Sequence, residues 1–82
     1  MEFWYLSDSC LNHGNYENNN HVYHYKTKDE ALKEFYFHMY VYVNEFDLEK
    51  DQFILRISDN YYSFEYNDEF LDIQLSLVKT VL

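Results

Sequence analysis

Residues 27–43 read TKDEALKEFYFHMYVYV, and the fold turns on whether this stretch is helix or strand. Its first half speaks for a helix. Thr27 and Glu30 form a capping box, in which the Thr27 hydroxyl accepts from the Glu30 amide while the Glu30 carboxylate reaches back to the cap. Asp29 and Glu30 also suit the positive end of a helix. The second half, residues 35–43, is aromatic and β-branched enough to make a strand. Periodicity decides between them: Ala31, Leu32, Phe35, Met39, Tyr42 and Val43 recur at helical spacing and build one apolar face. Lys33, Glu34 and Met39 are good helix formers. The stretch is predicted as a helix ending at about residue 42.

The rest of the chain reads as strands and turns. Residues 3–6 form a short apolar run, predicted as a first strand. Residues 7–21, SDSCLNHGNYENNNH, read as a polar loop, because Gly14 and the three asparagines at 18–20 tolerate left-handed backbone. Residues 22–26 suit a second strand, with Tyr23 and Tyr25 on one face and His24 on the other. After the helix, residues 52–58 place Phe53, Leu55 and Ile57 on one face and Arg56 on the other. Residues 58–60 and 67–69 carry turn chemistry. Between them Tyr62, Phe64 and Tyr66 alternate with Ser63 and Glu65. Finally Leu71, Ile73, Leu75 and Leu77 alternate with Asp72, Gln74 and Ser76. The order is ββαβββ. The predicted class is α+β, one helix packed on a mainly antiparallel sheet of four to five strands, with the last three strands as a meander.

A chain of 82 residues has room for one domain, 1–82, and one modest core. With Cys10 as the sole cysteine, no intrachain disulfide can staple it, which fits a reducing compartment. No apolar run is long enough to span a bilayer, and the start MEFWYLSDS lacks the basic and apolar regions of a signal peptide. A cytoplasmic protein is expected. The net charge of −9 disfavours direct binding to nucleic acid or anionic lipid, which needs Lys and Arg, and favours a basic partner. Ten Tyr and seven Phe argue against disorder and supply amphipathic contact area.

Motifs for chemistry are weak. Cys10 and His13, then His21 and His24, have the three-residue spacing of zinc ligands. Residues three apart in a strand, however, face opposite sides, so His21 and His24 would diverge. NEFDLEKDQ at 44–52 lacks the glycine and carboxylate spacing of a calcium loop. The SDN at 58–60 and the Ser76-x-x-Lys79 pair echo penicillin-binding enzymes in reversed order, on far too short a chain. No nucleophile elbow, phosphate-cradling loop or zinc-protease motif is present. The expectation is a non-enzyme without cofactor or metal. Tyr61, Tyr62, Phe64 and Tyr66 could stack bases, but only Arg56 accompanies them where a basic groove is required.

The acids are unevenly spread. Residues 44–72 hold nine acids against two bases. Glu45, Asp47, Glu49 and Asp51 fall at every second position. In an extended segment they would line one side about 6.6 Å apart; in a helix the row is destroyed. Asp59, Asp68 and Glu69 fall in predicted turns. Rows of carboxylates can imitate a phosphate backbone, with binding that weakens as salt rises. The ordinary reading of the same residues is a solvated connector and acids that guard sheet edges.

In length, charge and the acid bias of 44–72, the chain resembles small, acidic, aromatic-rich phage proteins that block nucleases and other nucleic-acid enzymes, among them DNA-mimic inhibitors and anti-CRISPR proteins. That resemblance implies a non-enzymatic inhibitor or adaptor that binds a basic, nucleic-acid-binding surface of a host protein. The residues expected to meet the partner are Glu45, Asp47, Glu49, Asp51, Asp59, Tyr61, Asp68 and Glu69. The alternative is a protein–protein interaction module that acts through shape, a homodimer among its forms, with the acids serving solubility.

Overall fold

A computed structural model describes residues 2–13 and 17–81 of the protein. Its elements run β1 (Glu2–Asn12), β2 (Glu17–Tyr25), α1 (Lys28–Glu45), β3 (Ile54–Ile57), β4 (Tyr61–Asn67) and β5 (Leu71–Val81). The strands form one antiparallel sheet in the order β2-β1-β5-β4-β3. This is the α+β fold with one helix that the periodicities predict, and β3-β4-β5 is the expected meander.

The helix begins as its cap dictates: the Thr27 hydroxyl accepts from the Glu30 amide at 3.3 Å. Ala31, Phe35 and Met39 are buried beneath it, with Leu32, Tyr42 and Val43 packed at the margin. These are the residues of the apolar stripe. The aromatic, β-branched half stays helical because that stripe continues through it and the sheet below offers an apolar face to cover.

Strand alternation builds the other half of the core. Trp4, Leu6 and Cys10 on β1, Tyr62 and Phe64 on β4, and Leu71, Ile73, Leu75 and Leu77 on β5 are all buried on the helix side. Register aligns them across strands: Leu6 lies opposite Leu77, which lies opposite Tyr62. Each such side chain, fully buried, contributes about 1.5–3 kcal/mol.

Two predicted boundaries are corrected. β1 runs to Asn12 and β2 starts at Glu17, so most of the expected loop at 7–21 is a long hairpin paired from Trp4↔Tyr25 to Asn12↔Glu17. The asparagines at 18–20 are strand residues. β1 is flanked by β5 along its whole length, so a continuous ladder is available to β2, and its backbone hydrogen bonds outweigh the turn preference of Asn. Gly14, read as turn chemistry, lies outside the described residues. The second correction is the helix end, three residues beyond the prediction. Phe46 donates its N–H to the Tyr42 carbonyl, and Leu48 donates to the Val43 carbonyl at 2.9 Å. Asp47 between them has φ of 52°. That is a helix-ending turn of the Schellman type, with Asp in the left-handed position that Gly usually takes.

Candidate functional site

The helix-ending turn decides the geometry of the acidic stretch. With Glu45 in the last helical turn, Asp47 left-handed, and residues 49–52 closed by a hydrogen bond from the Gln52 amide to the Glu49 carbonyl at 3.0 Å, the segment is not extended. The alternate-residue row of carboxylates is therefore not formed. The acids are gathered in another way. The helix runs along β1 from Lys28 over Trp4 to His38 and Tyr42 at Asp8, and the linker enters β3 opposite Glu65, near the Asn67 end of β4. Glu45, Asp47, Glu49 and Asp51 thus lie at the same end of the sheet as the β4–β5 turn with Asp68 and Glu69. Asp59 and Tyr61 do not join them. They stand at the opposite end of β4, about 20 Å away along its seven residues.

Asp68 has a defined local role. Its Oδ1 accepts from the amides of Phe70 and Leu71 at 2.7 and 2.8 Å, and its Oδ2 accepts from the Tyr66 hydroxyl at 2.5 Å. These donors, the Tyr66 hydroxyl first, hold its carboxyl below the ordinary aspartate value. The turn therefore needs Asp68 for its own closure, while Glu69 is exposed.

Beside the acidic end, the helix and β3 leave an open groove of about 860 Å³. Met39, Tyr40, Val43, Leu48, Phe53 and Leu55 line it, and Glu49, Lys50 and Asp51 form its lip. It exists because the helix packs over β1, β2 and β5 and reaches β4 through Phe35 against Tyr62, so the helix-side face of β3 is left open. Phe53, whose ring lies 4.9 Å from that of Phe64, and Leu48 pack against the core here. Leu55 and Ile57 share the core-facing side, as alternation predicts, yet Ile57 is 60% exposed. Ile54 on the other side, and Phe37 and Tyr40 on the outer helix face, are also exposed. Leu55 and Ile57, beside the apolar groove, are exposed side chains of the kind that mark an interaction surface.

A second cluster was not legible in the sequence. Asp8 is buried at a core position of β1, between Leu6 and Cys10. His38 Nδ1 lies 2.6 Å from its Oδ2, and the Tyr42 hydroxyl donates to its Oδ1. Burial, then the Asp8 carboxylate, then the Cys10 thiol push the Tyr42 hydroxyl well above the ordinary tyrosine value, so it stays a donor. His38 and Tyr42 are one helical turn apart, so a single carboxylate receives both and holds the helix in register on β1. A shallow cavity of about 270 Å³ adjoins the cluster, with Phe37 and Glu45 on its walls. The missed signal was the alternation Trp4, Leu6, Asp8, Cys10, which continues the first strand through a polar residue.

The zinc-like spacing does not converge. His21 lies opposite Asp8 and His24 opposite Tyr5, on opposite faces of β2, and no group of three ligands able to hold a metal occurs among the described residues. No described helix is long and apolar enough to cross a membrane. Comparison with protein families, with curated proteins and with solved structures finds no match to this chain.

Proposed function

We propose that the protein is a non-enzymatic acidic inhibitor or adaptor that acts in the cytoplasm by occupying a basic, nucleic-acid-binding surface of a host protein. The observation that carries this reading is the collection of Glu45, Asp47, Glu49, Asp51 and Glu69 at one end of the sheet, against Lys50 alone, beside an open apolar groove. A charged rim around an apolar centre is the anatomy of a protein-binding surface, in which the charges steer encounter and the centre supplies affinity. Phosphate imitation here rests on a cluster of carboxylates and not on a row.

The test is capture of partners from nuclease-treated host lysate, eluted along a salt gradient, with the wild type beside the triple variant Asp47→Lys, Glu49→Lys, Asp51→Lys. Three reversals at exposed positions should cost about tenfold or more in affinity, and the captured protein should be competed by DNA or RNA. Unchanged capture by the triple variant rules the reading out.

One set of observations favours a second reading, a shape-driven module that self-associates: Phe37, Tyr40, Val41, Ile54 and Ile57 are exposed. Light scattering separates the two, because a monomer at micromolar concentration excludes the homodimer.

A further inference from the structure

Among the described residues, β3 is one of the two edges of the sheet and pairs only with β4. Edge strands are normally guarded by charges, proline or bulges. β3 is short, but its sequence ILRI holds one charge, and that charge is drawn away: Arg56 pairs with Glu65 at 3.2 Å, back across β4. Ile54, Leu55 and Ile57 stay exposed on it. β2, the other edge, is by contrast lined by Asn18, Asn19, Asn20 and His21. On the helix side of β3 lies the groove floored by Met39, Val43, Leu48 and Phe53. A strand laid along β3 would turn alternate side chains toward this groove, and its backbone would satisfy the outward N–H and C=O groups of β3.

Charge selects the occupant. Asp51 precedes β3 and Asp59 follows it, and both are exposed. Lys50 stands at the groove lip, and the Lys28 ammonium sits 3.4 Å from the Asp59 carbonyl oxygen; Glu49 and Asp47 keep the first end acidic. A second copy of the chain, paired antiparallel through β3, would bring the Asp51 end of one protomer against the Asp59 end of the other, twice. An incoming segment with Lys or Arg at both ends meets an acid at each. We infer that β3 accepts an extended segment of a partner as a sixth strand, with apolar residues at alternate positions facing the groove and a basic residue flanking each end. The inference rests on the acidic-module reading and assigns to it a binding mode. It also gives Asp59, stranded at the far end of β4, a place at the end of β3 opposite Asp51.

The experiment pans a display library of random peptides of about nine residues, a length that covers β3 and both flanks. The probe then used is the synthesised consensus peptide. The expected consensus has Val, Ile, Leu or Phe at alternate positions and Lys or Arg near both ends. Bound to the full chain, the peptide should slow exchange of outward amides within residues 54–57 about tenfold or more. The double variant Ile54→Lys, Ile57→Lys should lose binding by about tenfold or more. Both side chains are exposed, so this variant keeps its core, and unchanged exchange of β1 and β5 amides checks that. Basic peptides without apolar alternation, protecting no amide in 54–57, would overturn strand addition while leaving the acidic-module reading standing. Enriched peptides without basic ends would overturn the inference, while the acidic-module reading is decided separately by the triple variant. Protection of 54–57 in a dimer without peptide would assign the edge to a second copy and overturn the inference.

Discussion

Tyr42→Phe tests the buried cluster with the least disturbance. The substitution removes one oxygen and leaves the ring, so the stacking of Tyr42 on Phe46, at 6.3 Å and 14°, persists and no cavity opens. What is lost is the hydrogen bond to the buried Asp8 carboxylate, with the weaker contact of the same hydroxyl to the Cys10 thiol. Hydrogen bonds to charged groups contribute about 1.5–3 kcal/mol, and about 2 kcal/mol is expected here. At about 0.05–0.15 kcal/mol per residue, a domain of this length has a total of about 4–12 kcal/mol, so the loss is a large share. The midpoint of thermal unfolding should fall by about 8–16 °C. Urea and thermal unfolding, followed by circular dichroism at pH 7, measure both quantities. The pH dependence supplies a second reading. Because the Tyr42 hydroxyl is held above its ordinary value of 10.0 in the folded state, its contribution is complete below pH 10 and is lost as pH rises above it, where the unfolded chain ionises first. The gap between wild type and variant should therefore narrow above pH 10, by at most ~1 kcal/mol up to pH 11, a ceiling that solvent reaching this partly exposed ring lowers. A variant within about 0.5 kcal/mol of wild type at pH 7, or a gap that stays constant from about pH 8 to 11, would refute the assignment of Tyr42 as donor to Asp8.

Three further outcomes are expected. Thr27→Ala, which removes the acceptor of the Glu30 amide, should cost about 1 kcal/mol in urea unfolding; a neutral result would show that the cap does not contribute. The Ser63 hydroxyl is buried and finds no hydrogen-bond partner among the described residues, so Ser63→Ala should leave stability unchanged or raise it by up to about 1 kcal/mol, and a clear loss in the same assay would contradict its unpaired state. Asp68, held below its ordinary value of 3.8, keeps its turn ionised above that pH and loses the contribution as pH falls through the lower folded value. The Phe70 and Leu71 amide resonances should thus titrate with a midpoint under 3.8, absent in Asp68→Asn, and a midpoint at or above 3.8 would count against the three hydrogen bonds.

The sequence by itself determined the class of this protein. The Thr27 cap and the stripe Ala31, Phe35, Met39 specified the helix, and the alternation Leu71, Ile73, Leu75, Leu77 specified the central strand. Both signals are local, because cap bonds and face periodicity depend on residues a few positions apart. The tertiary structure decided what is not local. Asn18, Asn19 and Asn20 became strand residues only because β1, paired on its other side with β5, offered them a ladder. Asp8 became a core residue only because a helix thirty residues on brought His38 and Tyr42 to it. The acids at 45–51 lost their row to a helix-ending turn around a left-handed Asp47, which no glycine announced. The groove and the bare β3 edge came from where the helix lies on the sheet. The helix lies over the middle of the sheet, and no pattern within β3 records that this edge strand would be left with so little above it.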